Sequence, residues 1–284
     1  MKKTFNKILI LISIITGIVF LISLRNKGDE KPQETMVLIS TNLGDIGLKL
    51  YNETPKHRDN FIKLVNEHFY DSLLFHRVIQ NFMIQGGDPE SRKAKPGVML
   101  GNGETGYTIP AEFNPKLFHK KGALAAARQG DEVNPEKASS GCQFYIVQGK
   151  PLNNADLESY EARINMGAKQ KLFSAFINRP ENQRIKDRFM AYQKENKSDS
   201  LQNLSAQIEP MLDKELTTKF KFSEEQRKVY TTIGGTPHLD GGYTVFGEVL
   251  QGVDILDKIA ATPVDQASRP LNDVRILKAV IVKK

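Results

Sequence analysis

The residues best suited to chemistry fall in one short stretch, FHRVIQNFMIQGGD at positions 75 to 88. It reads as two short strands, and strand alternation puts Arg77 on one face with Phe75 and Ile79. A permanent cation between apolar neighbours is either an edge residue that snorkels its head to water or a group placed for use. Other chemistries find little support. The single cysteine, Cys142, excludes an internal disulfide and a cysteine-based zinc cluster, and the five histidines show no HExxH spacing, so no metal is implied. GNGETG at 101 to 106 matches a dinucleotide-binding fingerprint letter for letter. That fingerprint follows a parallel strand and opens a helix, whereas here Pro110 follows closely, and a flexible surface loop is the better reading. The formal charge is +7, yet no run of five Lys/Arg and no basic strip interleaved with aromatics occurs, so nucleic acid is not a partner the sequence points to.

The elements that must position Arg77 begin at Met36. MVLISTNLGDIGLKLY carries two β-branched runs around a hairpin-like Asn-Leu-Gly-Asp. TPKHRDNFIKLVNEHFY follows as a helix, with Thr54 as N-cap, Pro55 at the first helical position, and Phe61, Leu64, Val65 and Phe69 at helical spacing. Short strands then recur between Gly-rich turns (GALAAA, CQFYIVQG, YTVFGEV and the terminal VRILKAVIVKK), with a second helix, GVDILDKIAAT, before the last. This pattern predicts a mainly β chain, a closed or nearly closed barrel. Between Leu152 and Val229 the texture changes: glycine vanishes except for Gly167, charge rises, and apolar residues take helical spacing. Three or four helices inserted at 154–228 are expected, with strand signals resuming at Val229 to Ile233. The barrel then comprises 36–153 and 229–284. At the N-terminus, Lys2, Lys3 and Lys7 precede an apolar run from Ile8 to Leu24 and a polar linker at 25–35. This is read as an uncleaved signal-anchor helix over 1–24 in preference to a cleaved signal, because no Ala-x-Ala follows it.

Taken in order, FHRVIQNFMIQGGD, GALAAAR, GCQFYIV and HLDGGYTVFGEV resemble the cyclophilin family of peptidyl-prolyl cis-trans isomerases. The resemblance covers Met36 to about Asn153 and Val229 to Lys284, with the helical insertion outside the family's common core. It implies a closed eight-stranded β-barrel capped by two helices, an Xaa-Pro peptide bond as substrate, proline-containing peptides and unfolded proteins as partners, and no cofactor. Carried across by position, it makes Arg77 the catalytic arginine and places Phe82 and Met83 in the proline pocket. Gln85 falls on the glutamine that binds substrate backbone, Ala127 on the small residue of the groove wall, and Gln143 on a second groove glutamine. Tyr145 stands where Phe is usual, and Leu239 completes the apolar pocket. His238 stands where many eukaryotic members have Trp, and Tyr243 where they have His, although some bacterial exported members also carry Tyr. Arg128 and Cys142 replace a common Asn and Ser. The missing indole, part of what cyclosporin contacts in the family, speaks against tight binding of that drug. Singly, Phe82, Met83 and Leu239 would be ordinary core residues, and only their joint order gives them a role.

Together these readings describe a membrane-anchored isomerase with its catalytic domain on the extracytoplasmic (periplasmic) side, assisting the folding of exported proteins; secretion after signal cleavage is the alternative location. The competing function is a membrane-tethered chaperone or assembly factor that grips proline-containing segments with little turnover.

Overall fold

The computed structural model describes residues 34–282. The expected anchor helix at 1–24 and nearly all of the linker therefore lie outside the described residues. Among the described residues there are ten strands: β1 (Met36–Thr41), β2 (Gly44–Leu50), β3 (Phe75–Ile79), β4 (Met83–Gly86), β5 (Thr108–Ile109), β6 (Ala123–Ala126), β7 (Ser139–Ser140), β8 (Phe144–Val147), β9 (Val245–Gln251) and β10 (Ile276–Val282). Eight of them form one antiparallel sheet in the order β10-β1-β2-β9-β6-β8-β4-β3, while β5 and β7 pair separately. Helix α1 (Pro55–Asn66) and helix α6 (Val253–Ala260) pack on this sheet through Phe61, Leu64, Val65, Leu256 and Ile259, all buried.

The sheet curls strongly but does not close, which corrects the expected closed barrel. No ladder joins β3 to β10. Their lead-in segments meet at a single bridge, Leu74 to Arg275, supported by Ser72 N–H to Ile276 O at 2.8 Å and Phe75 N–H to Val274 O at 2.9 Å. Further along β3 the neighbouring chain is the connection before β10, where Val78 N–H donates to Ser268 O at 2.8 Å. A loop thus covers part of the edge that a barrel would have paired.

Two apolar clusters lie on the two faces of this sheet. The larger contains Phe61, Tyr70, Phe75, Val78, Phe144 and Phe246, with Phe61 and Phe144 edge to face at 5.4 Å. The smaller contains Met83, Ala125, Tyr145, Leu239 and Val245. Strands β6 and β8 contribute to both, so ALAA and FYIV are buried at every residue and read as unbroken apolar runs. Each fully buried large side chain stabilises the fold by about 1.5–3 kcal/mol.

Helix α1 starts differently from expectation. Thr54 occupies the N-cap position, but its hydroxyl makes no capping bond. The carboxylate of Glu112 takes that role from far along the chain, accepting from Lys56 N–H at 3.1 Å and His57 N–H at 3.0 Å. An anion at a helix N-terminus satisfies the same orphan donors wherever it comes from.

Residues 154–232 are mainly helical: α2 (Asn154–Ile177), α3 (Gln183–Lys194), α4 (Ser198–Glu215) and α5 (Glu224–Thr232). Capping boxes start α2 at Asn153/Asp156 and α5 at Ser223/Gln226. The second box corrects the strand expected at 229–233, because once α5 is nucleated its β-branched residues continue the helix. Phe176, Leu204, Ile208 and Leu212 form a small core among these helices. A second one, Phe118, Leu157, Phe222 and Tyr230, joins them to the sheet. The chain leaves and re-enters the sheet at one spot, where Gly235 bridges both Lys120 and Lys150. A Cβ on Gly149 would lie 2.5 Å from the Gly235 Cα, so only glycine permits this approach.

Candidate active site

Arg77 owes its position to an irregularity in β3. The register with β4 shifts between Phe75 and Arg77, so that Phe75 pairs with Gly86 and Arg77 with Gln85. The shift puts Phe75 and Val78 in the central cluster and turns Arg77 to the opposite face with Ile79. Simple alternation had placed Phe75 and Arg77 together; an extra residue in the strand separates them, as bulges beside functional sites do. The cation is therefore not stranded in the core, but half-buried at the wall of a hollow.

That hollow has a volume of about 110 Å³, room for a few waters or one compact ring. Arg77, Phe82, Met83, Gln85, Ala127, Tyr145, Leu239 and Tyr243 line it. Registers explain the convergence. Gln85 lies opposite Tyr145 across β4 and β8, and Tyr145 lies opposite Ala125 across β8 and β6, so alternate residues of three strands share one face. The turn at 237–239 brings Leu239 over them.

A hydrogen-bond chain fixes the polar side. Arg77 Nη1 donates to Gln85 Oε1 at 3.2 Å, and Gln85 Nε2 donates to Gln143 Oε1 at 3.0 Å. Gln143 Nε2 in turn donates to the carbonyls of Gly101 and Gly103 at 2.9 and 2.8 Å. The glycine-rich loop thus holds the glutamine pair, and β5 rather than a helix follows it, which disposes of the nucleotide reading. The Arg77 guanidinium also sits 6.0 Å from the centre of the Phe82 ring.

Gln143 stands just outside the hollow, and His238 does not line it either. His238 stacks on Phe82 at 5.5 Å and on Tyr160 of α2 at 6.1 Å, so it bridges the rim to the helical segment. Desolvation there, reinforced by His119, lowers its pKa. Two features escaped the sequence. Arg128, read only as a departure from the family pattern, lines the hollow, with its guanidinium 4.5 Å from the Tyr243 ring centre and Nε donating to Gly242 O at 2.6 Å. Behind the hollow runs a buried network. The Tyr145 hydroxyl and His119 Nε2 are 2.9 Å apart, His119 Nδ1 and Asp240 Oδ1 2.8 Å, and the Tyr230 hydroxyl donates to Asp240 Oδ2 at 2.5 Å. No spacing links these four residues. The one available signal was Tyr145 itself, since a hydroxyl in a buried position needs a partner.

Burial, with Tyr243 as a second cause, raises the Tyr145 pKa well above its usual value, so the pocket tyrosine keeps its proton. Burial likewise pushes the Cys142 thiol up to about 11, leaving it a poor nucleophile. The next residue to Arg77, His76, faces away, and burial lowers its pKa to about 4. Among the described residues no group of three or more His, Cys, Asp or Glu is placed to hold a metal ion. The hollow therefore offers an apolar seat for a small ring, with an invariably charged planar donor at its wall and amide groups beside it.

Such a seat, on a curled antiparallel sheet, has room for one small ring. The chain matches the family model described as cyclophilin type peptidyl-prolyl cis-trans isomerase/CLD over residues 36–164 and 183–281, and it belongs to that family. A Staphylococcus aureus (strain USA300) protein named "Putative peptidyl-prolyl cis-trans isomerase" is 30% identical over 250 residues, covering 86% of this chain and 89% of its own. A protein of the same name from Staphylococcus saprophyticus is 29% identical over 251 residues, covering 88% and 93%. Among solved structures, a cyclophilin type peptidyl-prolyl cis-trans isomerase from Cryptosporidium parvum superposes with a TM-score of 0.51 at 19% identity, covering 89% of this chain and 99% of that one. That likeness supports the fold.

Proposed function

We propose that this protein is a peptidyl-prolyl cis-trans isomerase in which Arg77 is the catalytic group and the hollow of Phe82, Met83, Tyr145, Leu239 and Tyr243 seats the proline ring. The Xaa-Pro bond resists rotation with a barrier of roughly 18–20 kcal/mol, because the nitrogen shares its lone pair with the carbonyl. At the perpendicular midpoint that sharing is lost, and the nitrogen becomes a hydrogen-bond acceptor that neither planar form offers. A guanidinium aimed at it binds the transition state selectively, the condition for raising turnover. No nucleophile, metal or cofactor is needed for this. Gln85, Gln143 and the groove wall at Ala127 hold one side of the substrate chain while the other rotates. His238, stacked behind Phe82, supports the ring from the rim.

The observation that carries this reading is Arg77 itself, turned by the shift in β3 to the wall of an apolar hollow and tethered to Gln85 at 3.2 Å. Its test is exchange of cis and trans forms in a short Xaa-Pro peptide, followed by NMR with and without the full chain. Line broadening at catalytic concentrations supports the isomerase. Saturable binding without faster exchange would favour the proline-gripping chaperone instead.

The lysine-flanked apolar run from Ile8 to Leu24 supports an enzyme tethered to a membrane with its sheet domain outside the cytoplasm, acting on exported chains. Protease accessibility of the domain in intact cells, with and without deletion of that run, tests the location.

A further inference from the structure

A second apolar depression lies beside the proline pocket, between the sheet domain and the helical segment. It encloses about 700 Å³, and its apolar walls are Phe113, Leu117 and Phe118 on one side and Ile164 and Phe220 on the other, with Tyr243 at the end shared with the pocket. The shared ring is what links the two. Tyr243 lines both the hollow and the depression, so a single side chain separates them. A polypeptide whose proline fills the pocket can therefore lay residues only a few positions away into the depression.

The wall built by the helices is held rigidly. Asn165 of α2 clamps the main chain of Phe220, donating to its carbonyl at 3.0 Å and accepting from its N–H at 2.7 Å. The buried Glu161 accepts from Phe222 N–H at 2.8 Å and from Arg227 of α5 at 2.6 Å. Tyr230 of the same helix then reaches Asp240, one residue from pocket-lining Leu239. Phe113 and Ile164 nevertheless remain exposed, at 42% and 36%. Large apolar side chains left open on a fixed, concave wall mark a binding surface more than a folding compromise.

We infer that this groove binds an apolar stretch of the same client chain whose proline occupies the pocket, making the enzyme selective for unfolded segments with large apolar residues within a few positions of the proline. The inference rests on the isomerase reading for its substrate. Its occupant is set by continuity with the proline pocket, and Lys116 and Lys221 against Glu225 and Asp240 along the groove lend it no single charge.

The test uses the full chain and a set of fluorescein-labelled peptides of about twelve residues, each with one Xaa-Pro bond, carrying Leu and Phe or only Ser on either side of the proline. Seating one large apolar side chain is worth about tenfold in affinity or more. An apolar peptide should therefore bind at least about tenfold tighter than its serine counterpart by anisotropy. Ile164→Glu and Phe113→Ser, both at exposed positions and checked for fold by circular dichroism, should each erase that preference while isomerisation of a tetrapeptide continues at the wild-type rate. Equal binding of apolar and serine peptides, or a preference that survives in both variants, overturns the inference. So does concentration-dependent dimerisation in sedimentation that Ile164→Glu abolishes, which would assign the groove to a second copy. If the wild type fails to accelerate the tetrapeptide, the isomerase reading falls, while anisotropy still judges the groove.

Discussion

Replacing Arg77 by alanine removes the one permanent charge that the shift in β3 turns into the hollow, and the consequence can be sized. The residues proposed to seat the proline ring lie in an apolar cluster of their own, with Met83 and Tyr145 buried to within a few per cent, and the guanidinium touches it only at the Phe82 ring and the Met83 sulfur. Ground-state binding should therefore survive, and the loss should fall on kcat. A preorganised donor in a partly dry site contributes about 3–4 kcal/mol to the transition state, so kcat should drop by about 10²–10³ with KM changed less than about threefold. Arg77→Lys should lose nearly as much, because an ammonium has no planar fork to bond Gln85 and the imide nitrogen together. The assay is isomer exchange of a tetrapeptide by NMR, with urea unfolding to show that each variant retains its fold. Burial holds the Tyr145 pKa well above its normal range and lowers that of rim-bound His238, and the proposed step transfers no proton, so wild-type kcat should stay flat from about pH 6.5 to 8. A kcat loss under tenfold in Arg77→Ala, or a loss confined to KM, would refute the reasoning.

Three further outcomes follow from the packing. His76 is buried with a pKa near 4 against an ordinary 6.5, so the unfolded chain takes its proton first as pH falls; stability is full above pH 6.5 and declines by up to about 3 kcal/mol toward pH 4, and His76→Gln should flatten that part of the urea-midpoint profile. Tyr145→Phe keeps the pocket ring but strips His119 Nε2 of its 2.9 Å partner, so isomerase activity should hold within about twofold while unfolding free energy falls by about 1–3 kcal/mol. Gly235→Ala would thrust a Cβ to 2.3 Å from the His119 carbonyl and 2.6 Å from the Tyr230 ring, and thermal melts should show a loss of about 2 kcal/mol or more, whereas Gly130→Ala, with nothing near its Cβ, should barely register.

Much of the site was legible in the sequence because it is carried by strands whose residues are consecutive. FHRVIQNFMIQGGD contains both β3 and β4, and their pairing alone brings Arg77 against Gln85 and Met83. What stayed hidden depends on contacts between distant segments. Alternation cannot reveal the shift after Phe75, so the true face of Arg77 was invisible. Glu112 as the cap of α1 and the chain from Tyr145 through His119 and Asp240 to Tyr230 join residues far apart in sequence, with no motif to announce them. The open edge of the sheet was missed for a similar reason: a count of strand-like runs does not say whether β3 meets β10 or the loop before it. Only the last turn of α5 was read as strand, because Val229 and Thr231 favour both, whereas the helix capped at Ser223 runs on to Thr232.

The glycine contact between residues 149 and 235 brings the start and the end of the helical detour together. Because the two passes touch there, the detour behaves as a closed loop, and the entropy of closure grows only with the logarithm of length. Three doublings beyond a ten-residue turn cost about 2 kcal/mol. A junction of this kind adds about eighty residues at little entropic cost and sets them beside the rim residue His238, on which Tyr160 of α2 stacks at 6.1 Å.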